Sequence, residues 1–114
     1  MPEMASRKGS FVPAHKQELA SLVEYQGGSV VSRALISRRA GTVTLFAFDE
    51  GEGLSEHTAP YEALVQVVEG KALVTVAGVP NEMEAGDAVL LPAGRPHSLQ
   101  ARTRFKMLLT MVRS

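Results

Sequence analysis

The chain has no cysteine among its 114 residues. That excludes disulfide staples, zinc–thiolate sites and thiol nucleophiles. Aromatic residues are scarce at 5%, while hydrophobic residues make up 45%, so a compact core has to be filled mainly by Val, Leu and Ala. Neither charge sign is in excess, with twelve basic and twelve acidic residues. A balanced chain has no electrostatic drive toward nucleic acid or an anionic membrane, and neither is expected as a partner. The basic cluster Arg102, Arg104, Lys106 and Arg113 reads as a solvated strand face rather than a phosphate site. No segment approaches the roughly 20 apolar residues of a membrane span. Residues 1–10 are polar and lack the apolar centre of a signal peptide, so a cytoplasmic location is expected.

What is present points to one domain of β-structure. Residues 1–12 are expected to form a loose tail and residues 13–114 a single domain. Leu19, Leu22 and Val23 share one side of a 3.6-residue repeat, and Pro13 suits a first helical turn, which predicts a short helix over residues 13–25. After Gly28 the texture changes. Strands are predicted over residues 29–36, 42–48, 63–68, 72–76, 88–91, 97–101 and 105–112. Turns fall at residues 38–41, 69–71, 77–78, 80–81, 85–87 and 92–94. In the second strand Thr44, Phe46 and Phe48 share one face and Val43, Leu45 and Ala47 the other, so burial on both faces is expected. Short strands every eight to twelve residues with Gly and Pro between them indicate a β-sandwich or barrel, such as a jelly roll. There is no internal repeat and no low-complexity segment.

Two of the three histidines sit in informative settings. His15 reads as a surface residue. His97 ends the string GDAVLLPAGRPH, in which Gly86-Asp87 turns into a strand, Pro92 and Gly94 make the next turn, and His97 opens the following strand. His57 lies in GEGLSEHTAPYEALVQVVEG, residues 51–70.

The spacing of Gly86, Pro92, Gly94 and His97 resembles the second motif of the cupin superfamily, whose trailing Asn falls on Ala101 here. Gly51, His57 and Gly70 resemble the first motif, while its second His falls on Ala59 and its Glu on Ala63. The likeness runs over residues 41–112 and is to small single-domain cupins of the conserved-barrel, RmlC-like type. It implies an all-β double-stranded β-helix, or jelly-roll barrel, and a homodimer, which the unpaired edge strand of a small β-domain also favours. In metal-dependent cupins four such side chains hold one divalent ion. Only His57 and His97 keep ligands here, so a metal (Zn, Ni or Fe, which imidazole suits) is expected to bind weakly. Glu62 is the candidate third ligand. Strand alternation turns it outward if position 63 faces in, and a bulge near Pro60 would reverse that.

A pocket is therefore expected around His57, Ala59, Ala63, His97 and Met107. The alternative is that both histidines are core residues satisfied by backbone or water. Met107, Leu109 and Met111 read as core packing at strand spacing or as a soft lining. Tyr61 reads as a mouth hydroxyl or a surface ring, and Arg33 and Arg95 as carboxylate partners or as ordinary turn residues. Glu52, Glu56, Glu82, Glu84, Asp49 and Glu50 read as solvated loop charges. Ser98 is turned away from His97, and no Ser-His-Asp or paired-carboxylate pattern stands out. Two functions remain open. One is a module binding an unknown small molecule between two histidine anchors. The other is a metal-dependent dioxygenase, isomerase or decarboxylase acting on a small organic acid or sugar-like compound.

Overall fold

A computed structural model of the protein describes residues 11–113. Most of the expected loose tail, residues 1–10, lies outside the described residues. The strands are β1 Val30–Arg38, β2 Gly41–Phe48, β3 Gly53–His57, β4 Glu62–Glu69, β5 Lys71–Val76, β6 Val79–Glu84, β7 Ala88–Leu91, β8 His97–Ala101 and β9 Phe105–Val112. They form two antiparallel sheets, of order β1-β2-β9-β4-β7 and β3-β8-β5-β6. The inner faces meet in one core of Phe48, Ala63, Val65, Val67, Ala72, Val74, Met83, Leu99, Phe105 and Met107, among others. This is the expected all-β, two-sheet barrel.

The core follows from alternation. Thr44, Leu109 and Val65 are register partners, as are Phe46, Met107 and Val67, and partners in a ladder share a face. One end of the barrel is closed by Phe48 and Phe105, whose rings stack at 4.5 Å. Both are wholly buried. At the other end stand the β1–β2 turn, the β3–β4 loop, the β5–β6 turn and the β7–β8 loop.

The predicted helix is reduced to a single 3-10 turn, Leu19–Leu22, followed by extended backbone at Val23. No side chain caps its start, and so short an uncapped segment gains little from helical hydrogen bonding. Its carbonyls are taken by the sheet instead. Lys106 Nζ donates to the Ala20 carbonyl at 2.6 Å, and Arg33 donates to that of Leu22 at 3.1 Å. The segment is a strap: Leu19, Leu22, Val23 and Tyr25 pack on Val31, Leu35, Leu45, Ala47, Val68 and Leu108. That is why Leu45 and Ala47 are buried on the outer face of β2.

Two local expectations change. Pro80 and Asn81 lie inside β6, and the reversal before them is Ala77-Gly78, both at positive φ (50° and 82°). Two such residues make the tight hairpin that joins β5 to β6. Proline is tolerated because β6 is an edge strand. β3 had no apolar alternation to announce it, since Leu54 alone of its residues is even half-buried. Among the described residues no helix is long and apolar enough to cross a membrane.

Candidate functional site

His57 ends β3 and His97 begins β8, and the two are cross-strand partners. On β8, His97, Leu99 and Ala101 alternate inward and are buried, while Ser98 takes the other face. His97 is 6% exposed; His57, on the short edge strand, is open to solvent. Their Nε2 atoms lie 3.1 Å apart, with ring centroids at 4.4 Å and planes at 71°.

The far ring nitrogens are occupied. His57 Nδ1 is 2.8 Å from the Ser55 carbonyl oxygen, and His97 Nδ1 is 3.3 Å from that of Arg95. A carbonyl accepts only, so a proton on each Nδ1 leaves each Nε2 as a bare lone pair facing the other. Two lone pairs at that distance repel unless a proton or a cation lies between them. Burial holds the His97 pKa below the usual imidazole value, opposed by the Arg95 carbonyl and assisted by the charge of His57.

Two adjacent metal positions suit this separation. With bonds of about 2.05 Å, a 3.1 Å bite subtends an angle of roughly 100°. Among the described residues no group of three His, Cys, Asp or Glu could hold an ion, so the pair would supply two ligands. Glu62 is exposed on β4 while Ala63 beside it is buried, so no bulge turns its carboxylate inward.

The other expected residues divide. Ala63 faces inward beside Leu91 and Met111 at the loop-bearing end of the barrel. Ala59 lies in the β3–β4 loop, and its carbonyl accepts from Gly94 N at 2.8 Å, tying that loop to the one before His97. Ala59 and Ala63 therefore both lie at the histidine end of the barrel. Met107 does not line this end. It is 1% exposed and packs deep in the core, two inward rows below Met111. Leu109 and Met111 are the half-buried residues of that strand. Tyr61 is exposed in the loop before β4, and Arg95 is exposed in the loop before His97.

Several charges have structural duties. Arg33 holds the strap. The expected solvated cluster is mostly paired: Arg102 with Glu82 at 2.8 Å, Arg104 with Asp49 at 2.7 Å, and Lys106, buried, 3.7 Å from Glu69. Asp49 also accepts from the Gly28 and Glu50 amides. These bonds, that of Gly28 first, hold its carboxyl down at about 2. Sequence reasoning missed the Tyr25–Glu69–Lys106 cluster, where the Tyr25 hydroxyl donates to Glu69 at 2.6 Å. Burial and that carboxylate raise the Tyr25 pKa. A buried lysine on a strand otherwise apolar was its one signal.

Among solved structures, a conserved protein of unknown function from Streptococcus pyogenes is 29% identical, with 96% of each chain covered and a TM-score of 0.87. A cupin superfamily protein from Desulfitobacterium hafniense is 28% identical over 96% of this chain and 100% of its own, with a TM-score of 0.87. A cupin 2 conserved barrel domain protein from Leptotrichia buccalis is 41% identical over 82% of this chain, with a TM-score of 0.78; the match covers 46% of that longer protein. None of the curated proteins matches. The pattern of the cupin domain matches residues 44–113, which hold β2 in large part, all later strands and both histidines. On that match and the barrel itself, the chain belongs to the cupin domain family.

Proposed function

We propose that the protein is a small-molecule-binding cupin whose ligand sits at the loop-bearing end of the barrel, anchored by His57 and His97. The observation that carries this reading is the 3.1 Å approach of the two Nε2 atoms. Two basic nitrogens converge at the end of the barrel where the alanine at position 63, on the opposite sheet, faces inward. A ligand group that donates a proton into the gap relieves the facing lone pairs. Half-buried Leu109 and Met111 supply apolar surface further in.

A metal-dependent enzyme is the second reading, favoured by the bite of the pair. His57 and His97 would hold the ion, and water or the substrate would have to complete its shell. Bound there, a divalent ion would polarise an oxygen of a small organic acid or sugar-like substrate.

Metal per chain, measured on protein purified without chelator, separates the two. The binding module predicts well under one equivalent of Zn, Ni or Fe, together with small polar ligands that raise the melting temperature of the wild type but not of His57→Ala. One full equivalent that disappears in both His57→Ala and His97→Ala would overturn the binding module in favour of the enzyme.

A further inference from the structure

The two ends of the barrel place their cations differently. At the closed end Arg102, Arg104 and Lys106 each lie against a carboxylate. At the histidine end stand Arg38, Arg39, Arg95 and Arg113, all exposed, and among the described residues none of the four forms an ion pair. Glu56 and Glu62, the acidic residues flanking the β3–β4 loop, are turned away from the interior. Glu62 is opposite in phase to buried Ala63, and Glu56 is exposed in the bulged stretch of β3 opposite Ser98, whose face is the outer one. Arg113 is placed otherwise. Its amide donates to the Ala40 carbonyl at 2.7 Å, which carries the β2–β9 ladder one residue past Val112. It therefore keeps the inward phase of Met107, Leu109 and Met111. Its Nη1 donates to the Arg38 carbonyl at 3.3 Å, which holds the guanidinium at the rim and leaves its other N–H groups without a partner among the described residues. Residues 49–52 join β2 to β3 and residues 102–104 join β8 to β9. Connections so short stand β3 across from β2 and β8 across from β9. His57 and His97 thus face the ends of β2 and β9 over one sheet spacing, about 10 Å.

We infer that Arg113 pairs a carboxylate of the ligand that His57 and His97 anchor, so that the site takes small hydroxy acids. This rests on the binding reading above and adds its second pole. At the histidines the facing lone pairs call for a donor, which a hydroxyl is and a carboxylate is not. At Arg113 the remaining N–H groups call for an acceptor, and a carboxylate matches the guanidinium fork. A compound that carries both groups bridges the mouth from one sheet to the other. Arg95, exposed in the loop that leads into His97, adds positive potential at the same end. The carboxylates that would repel such a ligand, Glu56 and Glu62, lie on the outer faces.

Isothermal titration of the full chain with lactate, malate and gluconate, each beside its amide, tests this, with circular dichroism of each variant as a control on folding. At least one acid should bind the wild type about tenfold more tightly than its amide. Arg113→Gln should weaken that acid about tenfold and leave the amide unchanged, and Arg113→Lys, which keeps the charge, should recover part of the loss. Equal binding of acid and amide by the wild type overturns the inference. So does an acid whose affinity survives Arg113→Gln, or the binding of none of the three acids. The histidine anchor fails separately: an acid that loses affinity in Arg113→Gln and none in His57→Ala keeps the arginine pairing and overturns the anchor instead.

Discussion

His57 and His97, forty positions apart, are both cross-strand partners and ring neighbours, with Nε2 atoms 3.1 Å from each other. Their contact is made by the pairing of β3 with β8 and does not itself build the core. The double variant His57→Ala, His97→Ala should therefore fold and unfold cooperatively, because the barrel rests on Val65, Val67, Val74, Phe48 and Phe105. Loss of a cooperative melt would make the histidines structural.

In the metal-free protein His97 should titrate below an ordinary histidine, chiefly because it is buried. The depressed value means that its contribution to stability is complete above about pH 6.5, the unfolded value, and is lost as pH falls through the folded one. Replacing His57 by Ala removes the repulsion of a nearby charge and should move the His97 titration upward, as followed by the imidazole proton shifts.

Gly70 turns β4 into β5 with φ of 80°, and a Cβ there would be driven into the Arg104 carbonyl and the Phe105 side chain. Left-handed backbone alone costs an L-residue about 1–2 kcal/mol, and the backbone collision adds to it. Gly70→Ala should lower stability by more than about 2 kcal/mol in a denaturant titration.

The strap should loosen without unfolding the barrel. Lys106→Met removes the donor to the Ala20 carbonyl and Tyr25→Phe the bond to Glu69. Each should cost about 1–2 kcal/mol. Hydrogen exchange should rise over residues 19–25 while the β4 and β9 amides stay protected.

Asp49 is ionised down to about pH 2, held by the Gly28 amide and by Arg104. An unfolded Asp protonates near 3.9. The lowered value stabilises the fold above about pH 4, and the contribution is lost between about pH 4 and 2. Asp49→Asn should melt at a lower temperature than the wild type at pH 7, with the gap closing as pH falls through that window.

The barrel, its inward faces and the two histidines are legible along the chain. Alternation in residues 63–67 and 105–111 is a local property, and the spacings that lead to His57 and His97 are read directly along the chain. Packing between distant segments sets the rest. The repeat of Leu19, Leu22 and Val23 looked helical, but those side chains are buried equally well by a strap whose carbonyls Lys106 and Arg33 satisfy. β3 is a strand because β8 offers it a ladder, not because its own residues prefer one. Met107 and Met111 share a face and a chemistry, and only their height in the barrel separates a core residue from one near the open end. The 3.1 Å between two imidazoles belongs to the pairing of distant strands, which no window of residues contains.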